Sequence, residues 1–162
     1  MNSPHIPSTP AVLMLKAALI PFSTHFYTYE EKGGTATSSR ALGVNEHEVI
    51  KTLIMADEKA SPLIVLMHGD LQVSTKNLAR HLGVKHIEPC SALVAQRHSG
   101  YLVGGTSPFG TRKKMPVYVQ NSIWDLPHIY INGGRRGFLV RITPDSLTQL
   151  LPVTPVNVAI TT

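Results

Sequence analysis

KTLIMADEKASPLIVLM, residues Lys51–Met67, decides the class of fold. Two apolar, β-branched runs, Lys51–Asp57 and Leu63–Met67, flank the turn-like linker Glu58–Pro62. That pattern predicts a hairpin of core strands. On its N-terminal side, Asn45 and Glu48 have the spacing of a capping box and predict a helical turn. Further back, Gly43 closes a short helix over Thr37–Leu42. Gly33-Gly34 breaks an alternating strand, Phe22–Glu30, whose faces carry Phe22, Thr24, Phe26 and Thr28 on one side and Ser23, His25, Tyr27 and Tyr29 on the other. Thr9-Pro10 starts an apolar helix over Ala11–Ile20, and Pro21 ends it.

On the C-terminal side, Ser74 caps a helix to Leu82, stopped by Gly83. A short strand, Val84–Ile87, a helix, Ser91–Arg97, and a strand and loop over Gly100–Gly110 follow. Val117–Gln120 and His128–Ile131 are strands, the second turning through Asn132-Gly133-Gly134 into Phe138–Ile142. Thr143-Pro144 starts a helix through Leu150, and the proline-bearing tail Val153–Ile160 suits an edge strand. No strands alternate with long crossover helices. The class is α+β: a mixed, curved, barrel-like sheet with several short helices, residues 9–162 forming one domain after a tail over 1–8.

The composition fits a packed domain of 162 residues, with 43% hydrophobic and 15% charged residues. A net charge of +5 suits an anionic partner such as nucleic acid. Arg112-Lys113-Lys114 and Arg135-Arg136 are either solvated loops or a footprint on a nucleic-acid backbone. Cys90 is the single cysteine, so no internal disulfide forms, and a reducing, cytoplasmic setting is expected. MNSPHIPSTP lacks the pattern of a secretory signal, and the apolar runs are too short to span a bilayer.

Gly105 and Gly110 have P-loop spacing, but Thr111 stands where that loop needs lysine. His47-Glu48 begins like a zinc-protease motif, but Lys51 replaces the second ligand. The eight histidines read as surface or lightly packed residues, and no metal or cofactor is expected. Cys90 reads as a small buried residue rather than a nucleophile. Lys51 starts an apolar strand: it either snorkels to the surface or stands as a fixed cation at a pocket rim, holding a phosphate.

Three stretches occur in order: VIKTL (Val49–Leu53), LVAQRHSGYLVGGTSPFG (Leu93–Gly110) and INGGRRG (Ile131–Gly137). With TPAV (Thr9–Val12) and Tyr29-Glu30, they resemble the YbaK/prolyl-tRNA-synthetase-associated family from about Thr9 to Leu150. Its free-standing members deacylate mischarged tRNA. The resemblance implies a pocket for the 3′ end of an aminoacylated tRNA. A domain this small has little surface for reading a whole tRNA, so an aminoacyl-tRNA synthetase is an expected partner. The resemblance places Lys51 on the terminal adenosine and its phosphate, with Thr52 beside it among the substrate-binding residues. It puts the Gly104 backbone near the aminoacyl carbonyl, Gly105, Thr106, Ser107 and Pro108 in the pocket wall, and Tyr29 at the strand end. The implied substrate is tRNA(Pro) carrying Cys or a small amino acid such as Ala. Leu139 stands where the cysteine-specific members carry aspartate, and the loop at Gly33-Gly34 is short; both changes touch the amino-acid end. Two other readings remain open at this point. One is a non-catalytic module of the same fold that binds tRNA or a nucleotide. The other is an unrelated surface-binding protein, in which Lys51 and Gly104 would lie apart.

Overall fold

The computed structural model describes residues 5–161; residues 1–4, half of the expected tail, and 162 lie outside the described part. The Lys51–Met67 hairpin forms as read. Strand β2 (Val49–Asp57) pairs antiparallel with β3 (Pro62–His68), Leu53 opposite Val65. Around it runs an eight-stranded mixed sheet. Its path is β1 (Ser23–Phe26), β8 (Phe138–Ile142), β7 (Ile129–Arg135), β2, β3, β6 (Val117–Gln120) and β9 (Val153–Val156). The short strand β5 (Ile87–Pro89) pairs separately with β2. β4 (Gln72–Val73) and β10 (Ala159–Ile160) form a second, two-stranded sheet. β2–β7, β3–β6 and β6–β9 run parallel, so the sheet is mixed, and β9 is an edge.

The alternation of β2 and β3 sends side chains to two cores. Ile50, Ile54, Ile64 and Leu66 join the larger one with Phe109, Phe138 and Leu15. Met55, Val65 and Met67 face Leu78 and Ala79 of α3 (Thr75–Leu82). Three expected helix ends form: Ser74 Oγ accepts from Asn77 N, and Gly43 and Gly83 take the left-handed conformation. Ser91, expected inside its helix, instead caps it, its Oγ accepting from Val94 N. Helix α4 (Ala92–Ser99) follows Ser91, and α5 (Asp145–Leu150) follows Pro144. Helix α2 starts earlier than expected, spanning Gly34–Leu42.

Several boundaries differ. Helix α1 is Pro10–Ala17 and stops short of Ile20, because the chain turns at Leu19 with φ +57°. β1 ends at Phe26, since its partner β8 begins at Phe138. Tyr27–Glu30 continue as an irregular segment. The Asn45 turn is a 3₁₀ turn over Glu46–Glu48 that Asn45 alone caps, through His47 N. The Val84–Ile87 strand shifts to Ile87–Pro89, and Gly100–Gly110 is all loop. Asn132-Gly133-Gly134 is not the hairpin turn. β7 runs through it with a register shift between Asn132 and Arg135, and the chain reverses at Arg136-Gly137. Such a bulge kinks the strand and re-aims its side chains. No helix among the described residues is long and apolar enough to cross a membrane.

Candidate functional site

A cleft of about 900 Å³ opens where, among the described residues, β2 has no strand neighbour on the edge away from β3. β7 pairs with β2 only at Val49 and Ile50, and β5 only from Met55 to Asp57. The floor between is Lys51, Thr52, Leu53 and Ile54. Tyr29, Val103, Gly104, Thr106 and α4, through Ala92, Ala95 and Gln96, stand around it, with Leu139 also lining it.

Lys51 does not snorkel away from this space. Its Nζ donates to the Leu71 carbonyl at 2.5 Å, in the loop before β4. Burial lowers its pKa, while the charges of Glu46 and Asp70 oppose that fall. The lysine is thus a half-buried cation with its ammonium held at a defined place. Having three donor protons, it can keep Leu71 and still meet an anionic ligand.

Another part of the lining is built on Gly104, which has φ +90°. A Cβ there would stand 2.7 Å from the Tyr29 hydroxyl and 2.8 Å from its ring. Glycine therefore permits both the left-handed turn and the close approach of tyrosine. Arg136 lies with its guanidinium 4.9 Å from the Tyr29 ring centroid, and its Nε donates to Val103 O at 2.8 Å. Asn132 Nδ2 donates to Gly104 O at 3.2 Å, while its Oδ1 accepts from Gly134 N and Arg135 N. The peptides on both sides of Gly104 are therefore held by their carbonyls. In a trans peptide the N–H points away from its carbonyl, so fixing Val103 O also fixes the Gly104 N–H. An N–H whose peptide is held in this way is the kind of group that can stabilise a developing oxyanion.

Of the residues expected from the sequence, Tyr29, Lys51, Thr52, Gly104 and Thr106 line the one cleft. Lys51 and Gly104 are therefore not apart, which removes the reading that required their separation. Gly105, Ser107 and Pro108 lie behind the wall. Gly105 packs on the backbone of Arg135 and Arg136, where a Cβ would come within 2.7 Å of Arg136 N. Ser107 is fully buried, and its hydroxyl accepts from Phe109 N. They hold the loop in place. Asn132 and Arg136 were hidden in the sequence, the first inside an apparent turn and the second inside a basic cluster. An Asn followed by two glycines is equally the pattern of a bulge, and that was the available signal.

Cys90 lines the cleft, half-buried, with its pKa raised by burial and then by Glu88, so its thiol is not activated. One histidine departs from the surface reading. His68 is fully buried, stacked 3.7 Å from the His47 ring, with Nδ1 on His47 O and Nε2 on Ser122 Oγ, both at 2.7 Å. His47, His68 and Asp70 offer atoms within 4.8 Å of one another. Both ring nitrogens of His68 are already engaged, so the cluster reads as a structural clamp on the loop that carries Leu71.

The sequence profile of the aminoacyl-tRNA editing domain matches residues 30–150. An Enterococcus faecalis protein provisionally named Cys-tRNA(Pro)/Cys-tRNA(Cys) deacylase is 26% identical over 143 residues, covering 88% of this chain and 87% of that protein. Proline–tRNA ligase of Streptococcus equi subsp. zooepidemicus is 30% identical over 106 residues, which are 64% of this chain but 17% of the ligase. In structure, a protein provisionally described as a trans-editing enzyme for prolyl-tRNA synthetase superposes with a TM-score of 0.79. That match covers 95% of this chain and 99% of the other at 18% identity, which speaks for the fold.

Proposed function

The chain belongs to the aminoacyl-tRNA editing domain family, and from that premise we propose that it is a trans-acting aminoacyl-tRNA deacylase. Its substrate in this reading is a mischarged tRNA, tRNA(Pro) carrying Cys or a small amino acid such as Ala. Residues 9–162 act as one editing domain in the cytoplasm, beside an aminoacyl-tRNA synthetase that supplies the mischarged product. The observation that carries this is that Lys51 and Gly104 line one cleft.

The chemistry asks little of protein side chains, because an aminoacyl ester is already activated. Lys51 holds an anionic group of the 3′-terminal nucleotide. The Gly104 N–H lies toward the carbonyl oxygen and stabilises its charge as the tetrahedral centre forms. Water adds to the carbonyl carbon, the ester C–O bond breaks, and the ribose oxygen leaves with a proton. With a cysteinyl substrate its own thiol can close on the carbonyl instead: the C–S bond forms, the ester C–O bond breaks, and the thiol proton goes to the departing ribose oxygen. Leu139 is buried beside Val49 and Tyr130. It leaves the amino-acid end apolar there, which suits a small uncharged side chain and disfavours charged ones.

Single-turnover deacylation of a panel of mischarged tRNAs, led by Cys-tRNA(Pro) and Ala-tRNA(Pro), tests the reading, with Lys51→Ala as control. Turnover of one or both is expected, and a marked loss in the variant. Lys51→Ala acting at the wild-type rate would refute the assignment. Leu139 also supports a second reading, a non-catalytic module of the same fold. Binding of every mischarged tRNA with turnover of none would select it.

A further inference from the structure

The gap in the sheet leaves one residue's peptide groups bare inside the cleft. Along an extended strand, successive residues turn their N–H and C=O to opposite sides. Val49 O accepts from Gly69 N on the β3 side at 2.7 Å, and Ile54 O accepts from Cys90 N on the β5 side at 3.0 Å. Odd-numbered residues of β2 therefore address β3, and even-numbered ones address the β7–β5 side. Ile50 has β7 there, and Ile54 has Cys90. Thr52 falls between the two pairing stretches, so among the described residues its N–H and C=O meet no strand. The Thr52 side chain is also unmet: among the described residues its Oγ1 is buried without a hydrogen-bond partner. Polar groups left unpaired in a folded interior cost stability, and a ligand that pairs with them recovers it.

We propose that this bare edge reads a nucleobase, the 3′-terminal adenine of the tRNA, through its Watson–Crick edge. The exocyclic amine donates to Thr52 C=O, and the ring nitrogen beside it accepts from Thr52 N–H. The proposal rests on the deacylase reading for which nucleotide arrives, but the chemistry of the edge stands on its own. A residue in a strand displays a donor and an acceptor side by side, as an adenine edge does in the opposite sense. The amino acid's ammonium has donors only and would leave the Thr52 N–H unpaired. Position agrees as well. Thr52 lies three residues along β2 from Val49, roughly 10 Å at strand rise, and Val49 and Leu139 mark the apolar end. Lys51, next to Thr52, is then placed for the phosphate of that same nucleotide. The carriers of base recognition are main-chain atoms, which leave no side-chain signature in the sequence.

The test is a titration of the full ¹⁵N-labelled chain with AMP, with purine riboside 5′-monophosphate, which lacks only the amine, and with CMP. The Thr52 amide proton is expected to move downfield with AMP. The purine riboside nucleotide is expected to bind about fivefold more weakly, the loss of one hydrogen bond. CMP presents a similar amine and ring nitrogen, and binding as tight as AMP would overturn the assignment to adenine. Equal binding of the purine riboside nucleotide, an unmoved Thr52 amide at saturation, or no saturable AMP binding would each overturn the proposal. Thr52→Val keeps the backbone edge, so the preference for AMP over purine riboside should persist; its disappearance in a folded variant would assign the recognition to the hydroxyl instead. Deacylation is measured separately on mischarged tRNA. Base discrimination without turnover refutes the deacylase reading alone, and turnover without base discrimination refutes this inference alone.

Discussion

Adding a single methyl group at Gly104 tests the central claim about the site. Gly104→Ala meets two costs. At φ +90° an L-residue is strained by roughly 1–2 kcal/mol. Its Cβ would also lie 2.7–3.0 Å from three atoms of Tyr29. Tyr29 cannot simply swing aside, because Arg136 covers its ring and also anchors Val103 O. Displacing the ring therefore disturbs the peptide that carries the Gly104 N–H. Gly104 is itself exposed, so the two costs together should stay within roughly 1–2 kcal/mol. For a chain of this size that is a fall in Tm of roughly 2–8 °C. Catalysis should suffer far more, since losing one oxyanion donor costs about 100-fold or more in the chemical step. The assay is the single-turnover rate at saturating protein on a mischarged tRNA that the wild type deacylates, beside thermal unfolding. Tyr29→Ala in the same chain separates the causes: it removes the clash but leaves the backbone strain, so it should restore part of the lost stability. A rate within twofold of wild type in folded Gly104→Ala would show that this N–H does not face the reacting carbonyl.

With Lys51 on the tRNA, its lowered pKa should give binding an alkaline limb, affinity falling as pH rises through that pKa and the ammonium discharges. Lys51→Arg, which stays charged, should abolish the fall; a fall that persists in Lys51→Arg assigns it to another group. Tyr101 is buried and donates to Phe109 O at 2.6 Å, and burial pushes its pKa up to about 12. Between pH 10 and 12 the unfolded chain ionises while the fold keeps the proton, so stability should drop by roughly 2–3 kcal/mol across that window. Urea unfolding at both pH values measures it, and a Tyr101→Phe variant with an unchanged drop would reject the cause. Asn132→Ala removes the donor to Gly104 O and the acceptor for Gly134 N and Arg135 N. It should slow the single-turnover step about tenfold while costing 1–3 kcal/mol of stability; a variant with lost stability and an untouched rate would limit Asn132 to holding the bulge.

The features legible in the sequence share one property: they depend on neighbours within a few residues. Ser74 and Thr9 cap their helices because a side-chain oxygen reaches an N–H three residues on. Gly43 and Gly83 end helices because only their own φ must change. The β2–β3 hairpin follows from two apolar runs and a five-residue linker. Elements whose limits are set by distant partners are not legible in this way. β1 looked longer because Tyr27–Glu30 keep its alternation, yet β8 offers pairing only as far as Phe26. Asn132-Gly133-Gly134 looked like a turn because its residues tolerate one. In the fold, Thr9 Oγ1 donates to Gly133 O, and Asn132 reaches the Gly104 loop.

The site divides along the same line. Lys51 and Gly104 could be singled out from their stretches of sequence, and the order of those stretches already pointed to the family. No local pattern could tell whether Lys51 faces solvent or a ligand. That is decided by Leu71 and by the flanking charges of Glu46 and Asp70, which only folding brings near. Nor could any pattern show the bare peptide edge at Thr52. An unpaired N–H belongs to no residue type; it exists because β7 leaves β2 after Ile50 and β5 arrives only at Met55. Local chemistry sets which groups a chain owns, and long-range pairing sets which of them remain free to bind.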